Sequence, residues 1–390
     1  MIRQKHLSIP VLVLFITFMN MFIPLSTDLY LPALPEMGNY FNADSFLVGL
    51  TLSVFFVVFA VSIVVFGPVS DKYGRKPILI GSAVLYTAAS LICALSIDIY
   101  MLIAGRTLQA IGAGAIITVA TALIKECFRG QMMTKILAIS QALGVIAPMF
   151  APIVGGFLLT FTSWHGAFYL LTFLGGINII GACLLTETLP EHKRYQGSLL
   201  ASFSLLGKLL KFRRFMQILI MFSLMAAPYM AYLAVSSFVY IEQFNLSAQE
   251  YSYFFAVNSA AAVLGPIMYL KLKDKLSNKG LIGLSFIVAI ISGFTVMFGG
   301  EYGAIYFLSA FLPFTVIESM VRPFSMDLLL READKNVGTA ASMINFVQTF
   351  FGSLGMLAGT LPWSDFIQGL SFIMLGFTFL GIVLWKTLPR

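Results

Sequence analysis

Residues 67–77, GPVSDKYGRKP, place four charged side chains between two long apolar runs. Each flanking run has about 20 residues or more, the length that a helix needs to cross the hydrocarbon core of a membrane. A short charged turn between two such runs is typical of a loop at the membrane surface. The stretch therefore predicts a chain that crosses the membrane more than once.

The composition extends this prediction to the whole chain. The 390 residues are 59% hydrophobic and only 11% charged, whereas soluble domains carry about 25% charged residues. Cys93, Cys127 and Cys183 lie in or beside apolar runs without the spacing of metal ligands or of a disulfide framework, which is typical of packing residues. We expect a polytopic membrane protein without a metal site.

The apolar runs predict an all-α integral membrane protein with 12 transmembrane helices. None of the runs alternates with period two, so a β-barrel is excluded. With the N-terminus placed in the cytosol, every Lys and Arg except Arg106 and Arg322 falls on a cytosolic segment, as the positive-inside rule requires. Both termini are therefore expected in the cytosol, and the net charge of +7 needs no nucleic-acid partner. The predicted spans are 8–34, 45–69, 77–96, 99–124, 132–160, 164–187, 214–241, 250–271, 279–299, 303–330, 337–360 and 364–387.

A long polar connection at the midpoint divides the spans into two groups of six. We expect an N-terminal six-helix bundle over 1–187, a cytosolic linker over 188–213 and a C-terminal six-helix bundle over 214–390. Apolar residues at helical spacing within the linker favour an amphipathic helix on the inner leaflet over a plain basic linker. The halves echo each other weakly, with Asp71 opposite Asp274. Two pseudo-symmetric bundles are typical of secondary transporters.

The opening stretch resembles the signature loop of the major facilitator superfamily, through Gly67, Asp71, Gly74, Arg75 and Lys76. The glycines are expected to allow close helix approach at 67 and a tight turn at 74. Asp71 is expected to face the positive N-terminal end of span 11 near Val337, and Arg75 to pair with Glu126. Together they would form a breakable latch on the cytosolic side; the alternative is a positive-inside loop without a mechanical role.

Further stretches resemble the drug-exporting branch of this superfamily. Span 4 carries GRTLQAIGAGA over 105–115, and span 5 carries ALGVIAPMFAPIVGG over 142–156, which is similar to the antiporter motif. An alanine replaces the first glycine of that motif, and its small residues suit tight packing on span 8, although packing alone would explain them. The motif positions are Gly144, Ala147, Pro148, Ala151, Pro152, Gly155 and Gly156.

Residues 26–37, STDLYLPALPEM, resemble the Bcr/CflA group of bicyclomycin- and chloramphenicol-type resistance exporters. This resemblance implies a proton-driven drug antiporter with an acid in span 1. It also implies a monomer in the bacterial cytoplasmic (inner) membrane, which needs no cofactor beyond the proton gradient. A dedicated exporter of one metabolite, siderophore or amino acid with the same fold remains the alternative. A membrane enzyme is disfavoured because no nucleotide loop or nucleophile–base set is present.

Four ionisable residues inside spans are candidates for function, because a charge in the membrane is costly. Asp28 and Arg106 lie at matching depths in spans 1 and 4, so they are expected to meet, with Asp28 as the proton carrier and Arg106 as its modulator. A static ion pair is the alternative. Glu318 and Arg322 are four residues apart on span 10 and are interpreted as a structural or gating pair, with a direct role in coupling as the alternative. Polar candidates for a substrate cavity are Asn20, Tyr30, Gln109, Tyr229, Tyr232, Asn258, Asn345 and Gln348.

Overall fold

The computed structural model describes residues 4–197, 212–332 and 337–387. Within these ranges every regular element is a helix. The first eight helices are α1 (Ile9–Asn20), α2 (Phe22–Asp28), α3 (Leu34–Phe41), α4 (Ser45–Tyr73), α5 (Arg75–Ala94), α6 (Ile99–Cys127), α7 (Gly130–Leu159) and α8 (His165–Leu184). The others are α9 (Arg213–Ser237), α10 (Ala248–Ala262), α11 (Leu264–Leu272), α12 (Asn278–Gly299), α13 (Ala304–Glu332), α14 (Val337–Gly359) and α15 (Phe366–Lys386).

The predicted spans correspond closely to these helices. In the part of the chain that the structure describes, 11 helical stretches are long and apolar enough to cross a membrane. The predicted fifth span lies in α7, of which Ile146–Leu159 forms a shorter apolar segment. The all-α membrane fold is therefore confirmed, with most span ends within a few residues of their predicted positions.

Acidic and hydroxyl side chains begin several of the helices. The Asp98 carboxylate accepts a hydrogen bond from the Met101 N–H at 2.8 Å, and Asp365 accepts one from the Ile367 N–H at 2.6 Å. Such N-caps satisfy backbone donors that have no partner within the helix. Acids in the predicted external loops thus have a local structural role as caps.

Span 1 is broken rather than continuous. Helix α1 ends at Asn20, α2 ends at Asp28, and a 3₁₀ turn over Leu31–Ala33 precedes α3. Pro24, Pro32 and Pro35 lack the N–H that helical hydrogen bonding needs, so they favour interruptions here. As a result Asp28 stands at the C-terminal end of a short helix.

The helices fall into two compact units. The first comprises the described residues within 1–30 and 54–202, and the second those within 31–53 and 203–390. Packing thus groups residues 31–53 with the C-terminal unit. The predicted division into bundles over 1–187 and 214–390 stays a prediction, and the predicted amphipathic linker helix falls mainly in 198–211, outside the described residues.

Glycines permit the closest helix contacts inside each unit. In the first unit, a Cβ at Gly112 of α6 would lie 2.8 Å from the Ser82 carbonyl of α5. In the second unit, a Cβ at Gly355 of α14 would collide with the Ala227 carbonyl of α9. Small residues at such crossings let helix backbones approach, which is how membrane helices gain van der Waals contact.

Candidate functional site

Asp28 is a buried carboxylate at the end of α2. Its side chain is 4% exposed, and it accepts a hydrogen bond from the Thr27 hydroxyl at 2.8 Å. Among the described residues no ion pair joins it to Arg106. A buried acid whose hydrogen-bond partner is a neutral hydroxyl can gain or lose a proton without first breaking a salt bridge.

Arg106 lies at the depth expected from the sequence but contacts the backbone of span 1. Its guanidinium donates to the Ser26 carbonyl at 2.8 Å and to the Gln109 side chain. The same group lies 4.2 Å from the Phe55 ring centre and 4.7 Å from that of Tyr30. A cation enclosed by aromatic faces and bonded to the last turn of α2 stabilises that helix end. In this conformation Arg106 holds the backbone beside Asp28 instead of pairing with its carboxylate.

Hydroxyl groups from α5 complete this cluster, and the sequence interpretation missed them. The Tyr86 hydroxyl lies 2.6 Å from the Ser26 hydroxyl, and Gln109 donates to Ser90 at 2.7 Å. Tyr86 and Ser90 are four residues apart, so they share a face of α5. Two polar residues four apart in an otherwise apolar helix are the sequence signal that could have identified these hydroxyl groups.

A second cluster, on the side that the sequence predicts to be cytosolic, centres on Arg75. Its guanidinium contacts Asp71 at 2.5 Å and Glu126 at 2.8 Å, and it donates to the Ser70 hydroxyl at 2.6 Å. The pair between Arg75 and Glu126 is therefore present, and Asp71 also belongs to the network. The predicted approach of Asp71 to span 11 near Val337 stays a prediction.

Glu187, which the sequence interpretation missed, closes the cluster from the end of span 6. Its carboxylate accepts hydrogen bonds from the N–H groups of Arg75 at 3.0 Å and Lys76 at 3.1 Å. These are N–H groups of the first turn of α5, so Glu187 caps that helix from a distant part of the chain. Thr188, its neighbour, donates to Glu126 at 2.5 Å. The Lys76 ammonium donates to the Cys183 carbonyl at 2.8 Å.

The two glycines of the signature loop have different roles. Gly74 has φ of +100°, a conformation that side chains with a Cβ rarely adopt. A Cβ there would also lie 2.6 Å from the Glu187 carboxylate. Among the described residues a Cβ at Gly67 would meet nothing within 4 Å, and the predicted close helix approach at Gly67 stays a prediction.

The residues of the antiporter motif lie along α7. Pro148 is half-buried there, and the buried residues include Ala147, Ala151, Pro152 and Gly156. Gly155 packs so tightly that a Cβ would collide with the Leu29 carbonyl of span 1. Gly144 has nothing within 4 Å of an added Cβ. The tight contact of α7 is therefore with Leu29, the residue that follows Asp28. Packing on span 8 stays a prediction.

The second unit contains a polar cluster around Arg322 of α13. The Arg322 Nε donates to Glu318 at 2.9 Å, and its guanidinium lies 5.5 Å from the Tyr229 ring centre of α9. Gln348 of α14 donates to Ser325 at 3.2 Å. Tyr229 of α9 therefore lies beside the expected ion pair, and Gln348 of α14 bonds α13 at Ser325, three residues further along that helix.

The remaining cavity candidates separate into core and partly accessible residues. Tyr232 is fully buried and stacks on Phe311 at 4.1 Å, and the buried Asn258 accepts from the Thr315 hydroxyl at 2.7 Å. Both lie in packed helix interfaces. Asn20 donates to the Ile16 carbonyl of its own helix at 2.8 Å. Asn345 is exposed and Gln348 is half-buried. In the described ranges no cluster of three metal-ligating side chains is found.

A chain of membrane-spanning helices that form two compact units has the architecture typical of secondary transporters. The family model of the Major Facilitator Superfamily matches residues 12–356, so the chain belongs to this superfamily. It is a multi-pass membrane transporter and not an enzyme.

Three comparisons describe its relatives. The chain is 30% identical over 338 residues to the uncharacterized MFS-type transporter YdgK of Bacillus subtilis, covering 85% of this chain and 84% of that protein. It is 24% identical over 378 residues to the chloramphenicol resistance protein CraA of Acinetobacter baumannii, covering 94% and 88%. The crystal structure of the nucleoside transporter NupG superposes with a TM-score of 0.76 at 13% identity, covering 97% and 98%. The resemblance to the drug-resistance group is thus confirmed by a relative's name, while the structural likeness shows the fold alone.

Proposed function

We propose that this protein exports small amphipathic drug-like molecules in exchange for protons, by alternating access. The observation that carries the proposal is Asp28, a carboxylate that is 4% exposed inside a membrane span and whose partner is the Thr27 hydroxyl. Ionisable groups in such places mark ion and proton pathways. The similarity to a protein named for chloramphenicol resistance supports drug-like substrates.

In the proposed cycle the Asp28 carboxylate binds either a proton or the drug. When the site opens outward, Asp28 takes a proton; when it opens inward, Asp28 releases the proton and accepts a cationic or hydrogen-bonding group of the drug. Because one carboxylate serves both ligands, the drug and the proton compete, and this competition is antiport. Arg106 contributes by bonding the Ser26 carbonyl, which fixes the helix end from which Asp28 projects.

The cytosolic cluster would act as a latch in this cycle. Arg75 lies between the carboxylates of Asp71 and Glu126, and exchange among such partners can accompany opening and closing. We place the protein in the bacterial cytoplasmic membrane as a monomer with both termini in the cytosol, which the distribution of Lys and Arg supports.

The test is a drug-susceptibility panel in a host lacking its own exporters, combined with transport into vesicles under an imposed pH gradient. We expect Asp28→Asn to abolish proton-driven drug transport while binding of a neutral drug persists. Asp44→Asn is the matched control, because Asp44 caps α4 through the Leu47 N–H at 2.8 Å and asparagine caps equally well. Proton-coupled transport at the wild-type rate in Asp28→Asn would refute the proposal. Export of one metabolite and no drug would favour the dedicated exporter.

A further inference from the structure

Arg322 has an unusual position for a cation on a membrane helix. It lies in α13, about ten residues and thus about 15 Å from the end of that helix at Glu332. Its side chain is 51% exposed, whereas Glu318, its ion-pair partner, is 3% exposed. A charge at this depth is costly in contact with lipid, so it is expected to face protein or water.

The helix geometry shows that this exposure does not point to the outer face. The outward stripe of α13 carries Ile305 and Tyr306, which are well exposed. At about 100° per residue, Arg322 lies roughly 150° round the helix from that stripe. Its neighbours on the inward face, Thr315 and Ser325, are fully buried. Arg322 therefore projects from the packed side of α13 into a local opening.

Among the described residues, the Arg322 guanidinium forms a hydrogen bond through its Nε atom alone. Nε bonds Glu318 at 2.9 Å, and the two terminal nitrogens have no hydrogen-bond partner among the described residues. The same helix offers a comparison at the same spacing. Arg331 bonds Asp327 through both Nε at 3.2 Å and a terminal nitrogen at 2.7 Å. Arg322 thus keeps the planar edge with which arginine binds paired oxygen acceptors.

The charges around this edge limit what it can bind. Glu318 already balances the charge of Arg322, so an added carboxylate would leave a net negative charge at this depth. A neutral molecule with strong acceptor oxygens, such as a nitro or amide group, adds no net charge. The Tyr229 ring lies 5.5 Å from the guanidinium and supplies an aromatic face. The half-buried Gln348 bonds Ser325, which is a neighbour of Arg322 on the surface of α13 because the two are three residues apart.

We infer that Arg322, with Tyr229 and Gln348, is a substrate-binding site for neutral, acceptor-rich molecules. The inference rests on the proposed export of drugs and adds the class of substrate that this second unit recognises. The site belongs to the second unit, whereas Asp28, which binds the proton and a cationic or hydrogen-bonding group, belongs to the first.

The experiment uses two probes, chloramphenicol, which is neutral and carries nitro and amide oxygens, and ethidium, a cation without oxygen. The change is Arg322→Lys, which keeps the charge for Glu318 but removes the planar edge. We expect the dissociation constant for chloramphenicol to rise about tenfold or more in the purified protein, and resistance to fall, with ethidium unchanged. Arg331→Lys is the matched control and should change neither probe.

A second variant keeps the test valid if Arg322→Lys does not fold. The double change Glu318→Gln with Arg322→Gln removes both charges together, so that neither partner is left as an unpaired charge, and we expect the same selective loss of chloramphenicol. The inference is overturned if wild type binds chloramphenicol and the variants bind it as tightly, or if both probes weaken equally. If wild type neither binds nor exports either probe, the proposed function fails and the inference fails with it.

Discussion

Glu187→Gln tests whether the start of α5 in the first unit is organised by a side chain far away in sequence. The Glu187 Oε1 atom accepts from the N–H groups of Arg75 at 3.0 Å, Thr188 at 2.9 Å and Leu189 at 2.9 Å. Oε2 accepts from the Lys76 N–H at 3.1 Å. Glutamine keeps one acceptor oxygen, but its amide nitrogen would be placed opposite a backbone donor.

The magnitude follows from these contacts. One hydrogen bond to a charged acceptor contributes about 1.5–3 kcal/mol, and the carboxylate at a helix N-terminus contributes about 0.3–1 kcal/mol. The substitution should therefore lower the free energy of local opening at the start of α5 by about 2 kcal/mol or more. This corresponds to an opening equilibrium constant about 30-fold larger, and therefore to about 30-fold faster exchange when reclosing is faster than chemical exchange.

Hydrogen exchange of the purified protein, followed in peptides that contain Arg75 and Lys76, measures this change directly. Glu191→Gln is the control, because its carboxylate is 89% exposed and lies 3.6 Å from Arg194. Exchange at the start of α5 that matches wild type in Glu187→Gln would refute the capping role. Equal acceleration in Glu191→Gln would show that a general loosening of the loop, and not the cap, is responsible.

Two further substitutions test the signature loop and the contact beside Asp28. Gly155→Ala places a Cβ against the Leu29 carbonyl, so we expect a loss of about 1–3 kcal/mol and a lower melting temperature in detergent. Gly144→Ala, which has open space, should melt like wild type, and equal melting of both would contradict the contact. Asp71→Asn weakens the contact to Arg75 at 2.5 Å and should slow transport while drug affinity is retained. A loss of affinity with normal turnover would argue against the latch.

The sequence alone determined the features that depend on short segments. The length of each apolar run fixes a span, because an unpaired backbone in lipid is costly whatever its neighbours are. The distribution of Lys and Arg predicts orientation without any contact being known. The resemblance in residues 67–77 correctly brought Arg75 and Glu126 together, since the spacing of a short turn restricts where its side chains can reach.

Tertiary structure decided the contacts that join distant segments. Glu187 caps α5 from the end of span 6, and nothing local in its sequence specifies that N-terminus. Arg106 has the predicted depth, but whether it reaches the Asp28 carboxylate or the Ser26 carbonyl depends on the break in span 1. Gly155 meets Leu29 only because two backbones cross at that point. Such partners are set by the relative position and rotation of packed helices, which residue spacing along one segment does not determine.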